Sequence, residues 1–183
     1  MKRILYILFF LPAVSIAQSK FLEVITPEHL KAQFAGAIGF VSVGAGYESL
    51  NEKFQTDVMY GYVPKSLGGV RIHSLTAKVT WLPLSRYIGE IKWNYITGGL
   101  HLNYAIGDRY HTFWPDKYPH GYYNYPSALT ATIFAGGQLH HKKTGFYYEA
   151  GMTDRQLITL IRNPGAVPFF RMVNIGLGIY REI

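Results

Sequence analysis

The stretch SLTAKVTWL (74–82) alternates cleanly as far as Trp81. Leu75, Ala77, Val79 and Trp81 fall on one side; Ser74, Thr76, Lys78 and Thr80 fall on the other. Successive side chains of a β-strand point to opposite faces, so this pattern reads as a strand with one apolar and one polar face. The apolar face carries no charge and ends in an indole, while the polar face holds a lysine in mid-strand. Pro83 is expected to end the strand, because it has no N–H for the ladder.

The same period recurs on both sides. PEHLKAQ (27–33) is expected to open the chain with a helical turn, Pro at its first position. From Gln33 to Tyr47 the odd positions read Gln, Ala, Ala, Gly, Val, Val, Ala, Tyr, and the even ones are mostly small, with Ile38 and Phe40 as exceptions. Asn51-Glu52 reads as a turn. Phe54, Thr56, Val58, Tyr60 and Tyr62 then share a face, opposite Gln55, Asp57, Met59 and Gly61. PKSLGG (64–69) is a second turn signal.

Downstream, residues 91–106 set Ile96, Leu100, Leu102, Tyr104 and Ile106 against Tyr95, Thr97, Gly99, His101 and Asn103. Residues 128–140 set Leu129, Ala131, Ile133, Ala135, Gly137 and Leu139 against Thr130, Thr132, Phe134, Gly136, Gln138 and His140. A shorter segment, 146–152, places Glu149 between Tyr148 and Ala150. DRQLITLIR (154–162) reads as a short helix, Asp at its start and Arg at its end, closed by Asn163-Pro164-Gly165. Residues 169–181 set Val173, Ile175, Leu177 and Ile179 against Asn174, Gly176 and Gly178.

These are seven alternating segments, most of them 9–16 residues long. A globular strand averages about 5–6 residues, whereas a strand tilted across a bilayer needs about 9–11. The apolar faces are aliphatic in the middle, with Tyr47, Tyr62, Trp81 and Tyr104 near the ends, as in the aromatic girdles of outer-membrane barrels. The expected fold is therefore all-β: a small antiparallel transmembrane β-barrel of about eight strands, with a short helix near 154–162. Single-chain bacterial barrels have an even strand number. The eighth strand is placed either in KFLEVIT (20–26) or around 84–92, and the two choices stay open. A soluble barrel holding an apolar ligand would reverse the two faces.

Composition agrees. Of 183 residues, 49% are hydrophobic and only 16% charged, with 15 Tyr, 11 Phe and 19 Gly. Few charges and many aromatics exclude a disordered chain. The absence of Cys excludes disulfides, thiolate nucleophiles and Cys-ligated metals. Lys2 and Arg3, the apolar run ILYILFFLPAV (4–14) and the small residues of Ser15-Ile16-Ala17 read as a cleaved secretory signal. The apolar run is too short to span a bilayer, which takes about 20 residues. The expected organisation is a signal peptide over 1–17, an N-terminal segment over 18–32 and a barrel over 33–183, in the outer membrane.

The stretch YGYVPKSLGGVRIHSLTAK (60–78), with WPDKYP (114–119) and FYYEAGMTDRQL (146–157), resembles a family of small outer-membrane β-barrel proteins of gram-negative bacteria. The resemblance spans most of the mature chain. It implies the barrel and carries no activity, so no catalytic residue transfers with it.

Candidate chemistry is sparse. The polar faces collect Asp57, Lys78, His101 and Glu149. In a narrow barrel these are expected to form a lumen network that neutralises itself, because an isolated buried charge is very costly. The catalytic alternative joins Ser74 as nucleophile to His101, with Asp57 or Glu149 as orienter, in a lipid-modifying barrel of the lipid A deacylase or acyltransferase kind. His73 cannot serve Ser74, since neighbours on a strand diverge.

The segment 107–127 breaks the alternation with three prolines and reads as a long loop. Its Tyr110, Phe113, Trp114, Tyr118, Tyr122, Tyr123 and Tyr125, with His111 and His120, form a candidate binding surface for a glycan, a peptide or another surface partner. The competing reading packs these rings on the barrel mouth or in the lipid interface. No metal-ligand spacing and no cofactor motif occurs. The formal charge of +7 has no clustered run, which fits contact with outer-membrane lipid and not nucleic acid. The leading functional reading is a structural or surface-binding barrel without catalysis.

Cleavage after Ala17 leaves 166 of the 183 residues, starting at Gln18. Mass spectrometry of the membrane-localised protein should find that N-terminus, and intact residues 1–17 would contradict it.

Overall fold

The structure, a computed structural model, describes residues 26–49, 51–107, 110, 127–165 and 167–183. Eight antiparallel strands form a closed up-and-down barrel, each paired with its neighbours in sequence and the last with the first. They are β1 (His29–Ala35), β2 (Val41–Ser49), β3 (Phe54–Val63), β4 (Ile72–Ile88), β5 (Ile91–Ile106), β6 (Leu129–His141), β7 (Thr144–Thr153) and β8 (Asn174–Glu182). A one-turn helix, α1 (Lys65–Gly68), joins β3 to β4, and α2 (Asp154–Arg162) follows β7. Closure is set by β1 against β8, with His29 opposite Glu182 and Phe34 opposite Leu177.

The two ends differ. At one, three tight hairpins join the strands; we call it the short-turn end. Asn51 and Glu52 both take φ near +60° there, the left-handed pair that a tight hairpin demands. Gly89 and Lys142 supply the same geometry to the other two turns. The other end, the long-connection end, carries the segments 36–40, 64–71, 154–165 and 167–173, and β5 ends and β6 begins there. Helix α2 is fixed by a capping box. The Thr153 side chain accepts from the Gln156 N–H, and the Gln156 side chain accepts from the Thr153 N–H.

Several local expectations are corrected. Residues 29–33 are not a helical turn but most of β1, in which HLKAQF alternates. The run 33–47 is not one strand: Ala35 (φ 60°) and Gly36 (φ 85°) reverse the chain and start β2 at Val41. The eighth strand is thus β1. It lies neither in 20–26, of which 20–25 fall outside the described residues, nor hidden in 84–92. Pro83 does not end β4, which continues to Ile88 after a register shift between Trp81 and Leu84. Proline is tolerated at such an irregularity because no ladder N–H is needed there. A second irregularity between Asn94 and Thr97 puts Tyr95 outside beside Ile96, not on the inner face. At the chain's end, residues 169–171 form a 3₁₀ turn, and β8 begins only at Asn174.

Inside and outside follow the alternation. Lys78 is 2% exposed and its neighbours Val79 and Trp81 are 37% and 50% exposed. On β8, Ile175, Leu177 and Ile179 all face out. The lumen is filled by long side chains that cross it over small ones, the usual taper of a narrow barrel. Gly178 shows why: a Cβ there would stand 2.2 Å from the Tyr147 ring, which lies against the β8 backbone.

Gly178→Ala should therefore destabilise the barrel by about 1–3 kcal/mol, the usual cost of overpacking. Adding Tyr147→Ala should recover part of the loss. Urea titration of refolded protein would check this, and an undisturbed single variant would contradict the packing.

Candidate functional site

The inner faces of β1, β3, β4 and β7 bring the ionisable side chains together in two clusters. In the first, Asp57 on β3 is fully buried. Its Oδ2 accepts from Lys31 Nζ at 2.8 Å, and its Oδ1 lies 2.6 Å from His29 Nε2. Lys31 also donates to Gln55 Oε1 at 2.9 Å. The contact of His29 with Asp57 requires glycine opposite both: a Cβ at Gly46 would lie 2.5 Å from Asp57 Oδ1 and 2.7 Å from His29 Nε2.

In the second cluster, Lys78 on β4 donates to Glu149 Oε2 on β7. Gln33 Nε2 donates to Glu149 Oε1 at 2.8 Å, and the Tyr147 hydroxyl donates to Gln33 Oε1 at 3.1 Å. Aromatic faces complete the surroundings. Lys78 Nζ sits 4.7 Å from the centroid of Phe134 and 5.1 Å from that of Tyr147. Lys31 Nζ sits 5.6 Å from the Tyr147 centroid. Such contacts contribute most where the cation is desolvated. Two ammonium groups thus face two carboxylates.

Of the residues expected in a lumen network, Asp57, Lys78, His101 and Glu149 all project inward and are buried. They do not form a single set. Lys78 and Glu149 meet directly, whereas Asp57 is held by Lys31 and His29. His101 stands opposite Lys78 in the β4–β5 register, packs on the Phe134 ring and has no partner for Nδ1 among the described residues. Gln55, expected on the inner face beside Asp57, is buried there; His29, Lys31, Gln33 and Tyr147 were not foreseen. The strict alternation of HLKAQF was the signal for the first three, masked by helix-forming residues after a proline.

Ser74 and His101 are not brought together. In the β4–β5 pairing Ser74 faces Ala105, and His101 faces Lys78. Four strand residues, about 13 Å, separate those positions. The Ser74 hydroxyl donates instead to the Ile38 carbonyl at 2.7 Å. A nucleophile needs a base within hydrogen-bond reach, and this serine is bound to a backbone acceptor. His73 lies on the other face, 2.5 Å from the Tyr60 hydroxyl.

The β1–β2 connection folds into the long-connection mouth. Ile38 is buried there, and Asn103 Nδ2 donates to the carbonyls of Ala37 at 3.0 Å and Ile38 at 3.2 Å. Above this plug a hollow of about 430 Å³ lies between Leu67, Tyr110, Thr130 and Arg155. Tyr110 is the one member of the proposed aromatic binding surface among the described residues; His111, Phe113, Trp114, Tyr118, His120, Tyr122, Tyr123 and Tyr125 lie outside them. No three His, Asp or Glu side chains converge as metal ligands among the described residues.

The chain matches no protein-family model, no curated protein and no solved structure. Its reading rests on the barrel itself, and no known family is assigned by the stretches 60–78, 114–119 and 146–157.

Because the lumen charges are mutually satisfied, losing one member should cost more than losing both. Glu149→Gln or Lys78→Met alone should destabilise by about 3–5 kcal/mol, the range for a buried pair left half-made. Lys78→Met with Glu149→Leu should recover much of that. Chemical denaturation of the three variants measures it; additive losses would contradict the pairing.

Proposed function

We propose that this protein is an exported outer-membrane β-barrel whose lumen is structural and whose rim carries any recognition, with no catalytic turnover. One observation carries the reading. The outward face is a continuous apolar band: Val43, Val58, Val79, Leu100, Ile133, Ile175 and Leu177 are all exposed, and charge among the described residues is confined to the lumen and the two rims. In water such a belt would drive association, since contiguous exposed apolar surface of this extent marks contact with another apolar medium.

Aromatic side chains border the band. Tyr47, Trp81, Trp93, Phe146 and Tyr148 lie toward the short-turn end; Phe34, Tyr60, Tyr104 and Phe169 lie toward the other. This is the girdle arrangement of membrane barrels, whose short turns face the periplasm and whose long connections face outward. On that orientation the segment 107–127, with its seven aromatics, joins two strand ends, Ile106 and Leu129, that lie at the outer rim. A glycan, a peptide or a surface partner is its candidate ligand, and outer-membrane lipid is the partner of the band. No helix among the described residues is long and apolar enough to cross a membrane, and in this reading the strands cross it.

A soluble barrel with an apolar ligand is disfavoured because the interior presents paired charges where that ligand would sit. A lipid-modifying enzyme is disfavoured by the separation of Ser74 from His101.

Purified protein should need detergent to remain dispersed and should migrate faster on cold than on boiled gels. Ile175→Arg should cost about 2–4 kcal/mol of barrel stability in bilayers, while Ile175→Thr costs far less. A detergent-independent monomer, or an Arg variant that folds like the parent in vesicles, would overturn the membrane reading.

A further inference from the structure

A trough of about 370 Å³ runs down the outward wall from the long-connection end. Small side chains make its floor. Ala135 on β6 pairs with Ala150 on β7, both exposed, and Gly98 on β5 extends the row. Ile133, Met152, Phe169 and Val173 give it apolar sides. Phe169 belongs to the 3₁₀ turn 169–171 and stands over the wall at the rim. A fluid hydrocarbon layer requires of this wall only that it be apolar. A trough with raised sides also fixes where one chain lies, as concave apolar sites do.

The upper end of the trough is cationic. Arg171 is exposed and lies in sequence between Phe169 and Val173, two of the trough's sides. Arg155 and Arg162 sit on α2 in the same connection from β7 to β8. Against these and Lys65 and Arg71, Asp154 is the one carboxylate at this end among the described residues. The sequence 108–126 adds Asp108 and Asp116 with Arg109 and Lys117, so it brings no net charge. The same connection also leaves apolar surface uncovered. On α2, Leu157, Ile158, Leu160 and Ile161 share one side and Arg155, Thr159 and Arg162 the other, and none of its nine residues is buried. Ile161 is 78% exposed and Phe170 89%. A short helix with an uncovered apolar side and a basic one suits the boundary between head groups and chains.

We propose that the trough holds one phospholipid with an anionic head group. An acyl chain lies over Ala135 and Ala150, Phe169 packs on its upper methylenes, and Arg171 donates to the phosphate. A guanidinium presents a planar fork of N–H donors that matches phosphate oxygens two at a time. The excess of basic side chains along the same rim adds attraction to an anionic surface. The two halves of the site thus match the two halves of the ligand, and they meet where the 3₁₀ turn brings Phe169 and Arg171 to the top of the wall. The proposal rests on the reading of the outward face as lipid-facing and adds to it a single position and a head-group charge.

The test is native mass spectrometry of the full chain released from a neutral detergent, titrated with phosphatidylglycerol. Diacylglycerol of the same chains and glycerol phosphate serve as the two separate halves of the ligand. One phosphatidylglycerol per barrel should be retained, saturably, and neither half should match it. Arg171→Gln should weaken binding about tenfold, the scale of one charge-assisted hydrogen bond. Ala135→Leu, which fills the floor, should weaken it at least as much. Ala77→Leu adds the same bulk to the outward face of β4, Arg181→Gln removes a charge at the short-turn end, and both should bind like the parent. Retained cold-gel mobility shows that each variant is folded. Diacylglycerol bound as tightly as phosphatidylglycerol, Arg171→Gln or Ala135→Leu binding like the parent, or Ala77→Leu weakening binding equally would overturn the proposal. A barrel that needs detergent yet retains no phosphatidylglycerol overturns this site and leaves the membrane reading standing; a detergent-independent monomer overturns both.

Discussion

Lys78 on β4 and Glu149 on β7 reach each other across the inside of a closed cylinder, and most of the interior is arranged so that they can. Burying an unpaired charge costs several kcal/mol even after relaxation, so each cation needs an anion at hydrogen-bond distance and a partner for its remaining donors. The ring faces of Phe134 and Tyr147 fill part of that need for Lys78. Those rings require room, which the strand backbones supply by carrying glycine where a ring passes. Gly99 lies under Phe134, and Gly178 under Tyr147. At these two positions glycine is a consequence of the ring it faces.

The faces of the barrel were legible in the sequence and the pairings were not. SLTAKVTWL gives the inward and outward sets of β4 directly, because a period of two admits one reading. It does not say that Lys78 meets Glu149, since that contact depends on how eight strands are staggered on closure. His29, Lys31 and Gln33 escaped for another reason. They follow Pro27 among residues that favour helices, and ladder pairing with β2 and β8 overrides a weak local preference. Ile38 stood out as an exception in an otherwise small-residue face; it is the residue that plugs the mouth. The carboxylates of the short-turn end gave no signal, because Glu28, Glu48, Glu52, Glu90 and Glu182 gather only once the hairpins close.

Charge is sorted by depth as well as by face. In the lumen, cations and anions match. The short-turn end carries Glu28, Glu48, Glu52, Glu90 and Glu182 against Lys53, Arg86, Lys92, Lys142, Lys143 and Arg181, while the described part of the long-connection end carries Lys65, Arg71, Arg155, Arg162 and Arg171 against Asp154. An interior that must be neutral and solvated rims that carry unpaired charge follow from one cost, that of desolvation, which falls away toward the rims.

The first strand is the place where fold and network depend on each other most closely. It is the shortest of the eight, seven residues long, and it makes the closing pairing with β8 across nearly the whole chain. A short strand with a distant partner has the least ladder energy to set against the entropy of closure. Its inward side chains compensate: His29 and Lys31 bind Asp57 on β3, and Gln33 binds Glu149 on β7. A one-residue slip would turn Leu30, Ala32 and Phe34 into the lumen and leave Asp57 and Glu149 short of donors. The pairing that neutralises the interior therefore also fixes the register in which the barrel closes. That dependence accounts for the polar network in the lumen.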